Sequence, residues 1–477
     1  MRSFLVEYWP HITIISSIIV GGLAAIHAAM TKDDVRAAIG WVGVILLSPF
    51  IGTFLYLVAG INRIRQSSAG QRRAGVERRH ARHAEPAPNL DLPVALASMK
   101  LVGDHVAAFP LSAGNAVRLL DGGDEAYPQM LAAIRGAQRH VALSSYIFDN
   151  DPVGAEFADA LVEARKRGVE VRVLIDAIGA RYSRPSIVGR LRTEGVTTAT
   201  FMGNLIGFRL PYANLRSHRK MLIVDGRVAF TGGMNIRAQF ASAFAGADLA
   251  HDTHFRVEGP AVGHLLTVFV HDWSFTTREL IAGPAWDVPE CAACGEAMVR
   301  VVPSGPDRNL ACTHSMIMGA LSVAQHKVQI SSPYFLPDMQ LIGALGVAGR
   351  RGLAVDIVIP SANNLKLVDC AMTAQLDQVL AGGCHIWRAA GAFNHSKLMA
   401  VDGLWSYVGS SNLDPRSLRL NFELDLEIYD TGLATEIEDR ILRAKQGGWA
   451  ETLETLHARP LVQRLRNRAV WLASPYL

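Results

Sequence analysis

Two short groups of polar residues recur in this chain at one spacing. The first is His218-Arg219-Lys220, then Asp225, then Gly232-Gly233-Met234-Asn235; the second is His395-Ser396-Lys397, then Asp402, then Gly409-Ser410-Ser411-Asn412. Aligned positions are 177 residues apart (395 − 218, for example, or 412 − 235). An imidazole, an ammonium and an amide side by side suit a phosphate, because Lys supplies a compact cation and Asn a neutral donor. One set alone is ambiguous. Two sets related by a pseudo-twofold axis put two imidazoles on opposite sides of one phosphorus. One can then attack as nucleophile while the other protonates the leaving oxygen. Lys220, Lys397, Asn235 and Asn412 neutralise the developing charge, so neither a metal nor another cofactor is expected.

Each imidazole also needs a carboxylate to fix its tautomer. Asp252 follows His218 by 34 residues (252 − 218) and Glu423 follows His395 by 28 (423 − 395), each in the same half as an imidazole and just before a strand-like run. Asp225 and Asp402 read differently. Each opens an Asp-Gly pair between apolar runs, Met221–Val224 and Val228–Thr231 or Leu398–Val401 and Trp405–Val408. That is the pattern of a two-residue hairpin turn, away from the imidazoles.

The elements that position these residues repeat as well. Ser144-Ser145-Tyr146 corresponds to Ser331-Ser332-Pro333-Tyr334, and Glu163–Asp176 to Val347–Pro360; Gly168 and Gly352 are 184 apart, so the first half carries seven extra residues (184 − 177) before its motif. Val141–Ile147 and Val328–Tyr334 are strand-like. Ala155–Lys166 and Met339–Arg350 have helical spacing and end in basic residues followed by Gly. Val169–Ile175 and Leu353–Ile359 are continuous apolar strands of the kind buried in α/β sheets. The expected fold is two α/β halves, 91–290 and 291–477, packed as a pseudo-twofold unit.

An apolar N-terminus precedes them. Ile12–Met30 has no Asp, Glu, Lys or Arg over 19 residues and Ala37–Ile61 none over 25, each enough to span a bilayer as a helix. Residues 1–62 therefore read as a transmembrane hairpin. Pro49 and Gly52 inside the second span are breakers that neighbouring helices tolerate. Seven arginines between Arg63 and Arg82, against Lys32 and Arg36 in the turn, place the 63–90 linker and all that follows in the cytoplasm. A cleaved signal peptide fits poorly, since a second span follows at once.

The two motifs resemble the paired HKD motifs of the phospholipase D superfamily. Nearly the whole chain is similar to the bacterial cardiolipin synthases within it, through the 38–60 span and the stretches "FTGGMNI", "SSPYFLPD" and "VGSSNLDPRSLRLNFE". The resemblance implies a multi-pass enzyme of the bacterial inner membrane that converts two phosphatidylglycerols to cardiolipin and glycerol through a phosphatidyl-histidine. It implies His218, Lys220, Asn235, His395, Lys397 and Asn412 as site residues, counts Asp225 and Asp402 in the catalytic motifs, and gives Asp252 and Glu423 a supporting role. The chain departs from the family at Ala250-His251, where Trp-Arg is usual, at Asn394, where an apolar residue is usual, and over Ser361–Gln375.

Other readings compete less well. A hydrolase with water as acceptor would share the same nucleophile. A nucleic-acid phosphodiesterase is disfavoured by a net charge of only +4 and by the spans. A binding protein without catalysis does not account for two intact motifs. Cys291-Ala292-Ala293-Cys294 with Cys312 and His314 is a weak zinc pattern, and reduced thiols are the preferred reading. The 203–217 stretch, apolar and basic, reads equally as a bilayer-dipping loop or a packed connector.

Overall fold

A computed structural model describes residues 2–32, 35–61, 93–203, 215–289, 293–307 and 309–474. The 63–90 linker, most of the 203–217 loop and Cys291 lie outside the described residues. The chain divides into two compact units.

The first unit holds helices Arg2–Thr31, Val35–Leu47 and Pro49–Leu55, closed by a wider turn at Tyr56–Gly60. Ala24, Ala25 and Ala28 are buried together with Ile45 and Tyr56. Small side chains of this kind let helix backbones approach closely in a bilayer. The Tyr56 hydroxyl lies 2.8 Å from His27 Nδ1 and 3.2 Å from Thr31 Oγ1. Among the described residues one helix, Tyr8–Thr31, is long and apolar enough to cross a membrane. The continuous second span expected over 37–61 is instead broken. Its helix stops at Leu47, Ser48 leaves helical geometry at φ −144°, and Pro49 starts a new helix. Proline has no N–H to continue the ladder, and its ring crowds the preceding turn.

The second unit is built on one sheet, sixteen-stranded among the described residues. From its middle outward the first half runs Ser112–Asp121, Thr253–Glu258, Val228–Gly232, Met221–Val224, His140–Ser145, Glu170–Asp176 and Thr197–Phe201. The second half repeats that order: Ala297–Ser304, Asn421–Tyr429, Trp405–Gly409, Leu398–Val401, Lys327–Ser331, Ala354–Pro360 and His385–Ala389, with Trp449–Glu451 added at the edge. The halves meet where Ser112–Asp121 and Ala297–Ser304 pair antiparallel, Asn115 opposite Ala297. In each half the inner strands pair antiparallel and the outer ones parallel through helical crossovers, Pro152–Lys166 and Met339–Arg350. Asp151 and Asp338 cap those helices, accepting from Gly154 N (2.8 Å) and Leu341 N (3.0 Å).

Each half has its own apolar core, but the division at 290/291 does not hold for every element. Helix Val94–Val106, in the first half by position, packs into the core of the second through Leu96 and Met99. Its Asp104 pairs at 2.7 Å with Arg300, a fully buried guanidinium that also bonds Glu427 at 2.6 Å. Gly103 makes room for this, since a Cβ there would stand 2.7 Å from Arg300 Nε.

The motif hairpins turn at Asp225-Gly226 and Asp402-Gly403 as expected, with φ of +55° and +66° in one and +54° and +67° in the other. Their loops are three residues long rather than two, because Val224 pairs with Val228 and Val401 with Trp405. The left-handed Asp turns its carboxylate back onto the neighbouring strand. Asp225 accepts from the backbone N–H groups of Gln138 (2.9 Å), Arg139 (2.7 Å) and His140 (3.0 Å). Asp402 does the same for Gln325, His326 and Lys327 at 2.8, 2.9 and 2.8 Å. Both carboxylates hold the start of a central strand. This corrects the catalytic placing that the motif resemblance implies for Asp225 and Asp402.

Asp225→Ala therefore removes three charge-assisted bonds and leaves a β-carbon at positive φ, costing about 2–4 kcal/mol of stability. Asp225→Asn, which tolerates that backbone, should cost less. Thermal unfolding should show both losses, with activity per folded molecule kept; inactivation at unchanged Tm would return Asp225 to the chemistry.

Candidate active site

His218 and Lys220 sit in an extended segment between the two-residue strand Arg216–Ser217 and the strand Met221–Val224; His395 and Lys397 lie likewise between Phe393–Asn394 and Leu398–Val401. These segments interlock with the opposite half. Arg216–Ser217 runs parallel to Asn421-Phe422, and His218 N donates to Phe422 O at 2.8 Å. Phe393–Asn394 runs parallel to Ala250-His251, and His395 N donates to His251 O at 2.7 Å. The next residue along each receiving segment is the supporting carboxylate.

The carboxylates consequently cross. His218 Nδ1 meets Glu423 Oε2 at 2.9 Å, and His395 Nδ1 meets Asp252 Oδ2 at 2.7 Å. The reading that placed each carboxylate in the half of its own imidazole is corrected. Asp252 and Glu423 are fully buried, and both oxygens of each accept a hydrogen bond. Thr253 N donates to Asp252 at 2.7 Å; Ser410 Oγ and Asn421 Nδ2 donate to Glu423 at 2.6 and 3.1 Å. Burial alone would raise both carboxyls, but the nearby lysine charges and the hydrogen bonds from the imidazoles prevail. Lys397 and His395 hold Asp252 below its ordinary range, and His218 and Lys220 do so for Glu423.

A cavity of about 260 Å³ opens between the imidazoles, lined by His218, His395, Asn235, Asn412, Tyr146 and Tyr334 among others. Asn235 Oδ1 accepts from Ile147 N at 3.0 Å, which fixes the amide beside His218. The lysines lie deeper. Lys220 Nζ donates to His218 O at 2.7 Å with its charge 5.6 Å from the Tyr146 ring centre, and Lys397 Nζ contacts His395 O and, at 2.9 Å, His395 Nδ1. Burial pulls Lys220 down to about 7 and Lys397 to about 8. It also lowers His218, and takes His395 down to about 3, with Lys397 adding to the effect and Asp252 opposing it. Both imidazoles are thus neutral in the empty site at neutral pH.

They differ in one respect. His218 Nδ1 is bounded by two acceptors, Glu423 Oε2 and Ser410 O (3.1 Å), so Nδ1 carries the proton and Nε2 keeps its lone pair. His395 Nδ1 is bounded by an acceptor and by the Lys397 donor.

Several residues of the site had no role in the sequence. Arg219 points away from the cavity, donates to both oxygens of Asp272 (2.7 and 2.6 Å), to Glu423 O (2.8 Å) and to Ser304 O (3.1 Å), and so ties the two halves together. In the other copy Ser396 Oγ meets Thr253 Oγ1 at 2.8 Å. The Tyr146 ring stands edge-on to His218 at 5.2 Å and the Tyr334 ring edge-on to His395 at 5.9 Å. The repeated Ser-Ser-(Pro)-Tyr was the available signal for these two. The departures from the family pattern also gather: Ala250-His251 and Asn394 pair with each other beside His395, and Asn364, Leu365 and Val368 from Ser361–Gln375 line the cavity. Of the suggested zinc residues, Cys312 is buried with Sγ donating to Val106 O (3.3 Å), and His314 pairs with Asp338 (3.2 Å).

Residues 130–273 and 317–444 match the family described as cardiolipin synthase, PLD-like domain, and residues 20–60 match a phospholipase D-nuclease N-terminal family. The chain is 33% identical over 474 residues to cardiolipin synthase A of Pseudomonas aeruginosa, covering 96% of this chain and 94% of that one. It is 30% identical to a cardiolipin synthase of Alkalihalophilus pseudofirmus, over 92% of this chain and 88% of the other. In fold it is similar to the crystal structure of a phosphatidylserine synthase from Haemophilus influenzae, with a TM-score of 0.63 and 17% identity over 80% of this chain and all of that one.

The crossed pairing has a direct test in histidine ¹⁵N spectra. Glu423→Gln should shift the His218 ring nitrogens and leave His395 in place, and Asp252→Asn should do the converse. Each should lower kcat by about 10²–10⁴ by releasing the tautomer. Shifts confined to the histidine of the same half would refute the crossing.

Proposed function

From the premise that this chain belongs to the cardiolipin synthase family and is a phospholipid phosphatidyltransferase, we propose that it joins two phosphatidylglycerols into cardiolipin and glycerol. The carrying observation is the convergence of His218 and His395 on one cavity, each backed by a buried carboxylate. We assign His218 as nucleophile. Its Nε2 lone pair attacks phosphorus, a P–N bond forms, and the P–O bond to the headgroup glycerol breaks. His395 gives a proton to the departing oxygen, so glycerol leaves as a neutral alcohol. The second phosphatidylglycerol then loses its hydroxyl proton to His395 as its oxygen attacks phosphorus. The P–N bond breaks, and cardiolipin leaves with both imidazoles restored.

Asn235 and Asn412 hold the non-bridging oxygens, with Lys220 and Lys397 supplying positive charge from below. The bound phosphodiester brings a negative charge, which raises the pKa of both lysines and both imidazoles. That lets His395 hold a proton in the complex although it is neutral in the empty site. One phosphodiester replaces another, so the reaction runs near equilibrium. The N-terminal helices hold the enzyme at the membrane; we read them as a hairpin with the catalytic part cytoplasmic, in line with the arginines of 63–82.

Purified enzyme in phosphatidylglycerol vesicles should yield cardiolipin, and added glycerol should drive cardiolipin back. Phosphatidic acid as the main product would make the enzyme a hydrolase. The kcat/KM profile should not rise between pH 6.5 and 8, because His395 is neutral in the free enzyme there and must gain its proton to act as the acid. It should fall on the alkaline side near pH 7–8, where the buried lysines lose their protons. The alkaline limb of kcat should lie higher, since bound substrate raises those groups. An alkaline limb of kcat/KM near 10.5, the ordinary lysine value, would show that burial does not tune them.

The roles of the imidazoles separate with a substrate whose leaving group needs no proton. His395→Ala should form the phosphatidyl adduct on His218 and stall, visible by mass spectrometry under alkaline conditions. An adduct on His395 in His218→Ala, with none in His395→Ala, reverses the assignment.

A further inference from the structure

The C-terminal helix Leu461–Trp471 packs beside Lys366–Thr373, the helix whose Val368 lines the active-site cavity. The chain leaves this helix and reaches the cavity at once, with Ser474 on its wall. On its inner side Val470 and Trp471 pack against the second-half core, and Asn467 is buried. That contact already satisfies the helix, yet it carries a second apolar face. Leu461, Val462, Leu465 and the C-cap residue Leu472 are 67, 79, 60 and 75% exposed. At 3.6 residues per turn these four fall within about 100° of the helix circumference, the width of a face meant for burial.

The charges on this helix are one-signed. Arg459–Ser474 contains four arginines and no Asp or Glu. Arg464 and Arg468 border the apolar face on one side and Arg466 on the other, by the same rotation. Arg468 is held by Asp377 at 2.5 Å, while Arg464 and Arg466 are exposed. Leu365, at the N-cap of the neighbouring helix, is half exposed and is itself part of the cavity wall, so apolar surface continues from the helix into the site.

We propose that this face docks on an anionic phospholipid surface: the leucines and Val462 enter the acyl boundary, and Arg464 and Arg466 meet headgroup phosphates. An apolar stripe bordered by arginines is the pattern of a helix lying in the interface plane. Docked there, the cavity mouth opens at headgroup depth, and a phospholipid can present its phosphodiester to His218 without leaving the leaflet. The proposal rests on the phospholipid substrate named above.

The test uses the full chain carrying Leu461→Ser, Val462→Ser and Leu465→Ser together, none of which belongs to the site. Two substrates are compared by total phosphatidylglycerol consumed: long-chain lipid embedded with the enzyme in phosphatidylcholine nanodiscs, and monomeric dihexanoyl phosphatidylglycerol given to enzyme in detergent. Losing three membrane-buried side chains should lower turnover of the embedded lipid about tenfold or more, with turnover of the monomeric lipid within about twofold of the parent. Arg464→Gln with Arg466→Gln should lose more as embedded phosphatidylglycerol is diluted. Equal turnover of the embedded lipid by variant and parent overturns the proposal. So does a parallel loss on both substrates, which marks a structural role, or a fall in particle mass of the variant, which marks a contact between copies. Consumption is scored whatever the product, so phosphatidic acid in place of cardiolipin would count against the transferase reading and leave the docking result standing.

Discussion

A carboxylate with no solvent contact stays ionised only beside compensating charge and donors, and in this molecule that charge comes from the other half of the repeat. Asp252 and Glu423 are both fully buried, and each is matched to an imidazole 143 or 205 residues away in sequence. Separating the halves would strand two buried carboxylates and free both imidazole tautomers, a large penalty on stability and activity together. The continuous sheet, the parallel pairing of Arg216–Ser217 with Asn421-Phe422, and the Arg219 bonds to Asp272 and Ser304 all serve to keep those two contacts closed.

Around this crossed frame the duplication is strict where it handles phosphorus and loose where it meets the rest of the substrate. Both copies keep the left-handed Asp that holds a strand start, the amide at the cavity and the tyrosine beside the imidazole. Two residues before His218 stands Arg216; two residues before His395 stands Phe393, and both line the cavity. The wall beside His395 also collects the departures from the family pattern. A phosphoryl group needs the same handling from either side, while the walls away from it are under no such constraint.

The ionisation of the site follows from the same burial. With lysines drawn down to about 7 and 8 and both imidazoles lowered, the empty cavity carries little net charge of its own. A phosphodiester restores it by arriving. Asp252 and Glu423 offset part of the energy of placing cations in a low-dielectric interior, and a bound anion offsets more, which favours phosphate over neutral alcohols in the cavity.

Local and periodic features were legible from the residues alone. The 177-residue register showed the duplication, the continuous apolar runs showed the strands, and Asp-Gly at each turn showed a hairpin, although its loop holds three residues and not two. The chemistry of the site was legible too, since His, Lys and Asn at fixed spacing have few other uses. Contacts remote in sequence were decided by the tertiary structure. Sequence distance ranked Asp252 with His218 and Glu423 with His395, while the interlocked segments pair them the other way. The Val94–Val106 helix lies in the first half by position yet packs into the core of the second, where Arg300 pairs with Asp104 beside Gly103. Pro49, legible as a breaker, ended the second apolar helix outright. Each of these depends on which surfaces meet once the chain is packed, and a linear pattern carries no record of its opposite wall.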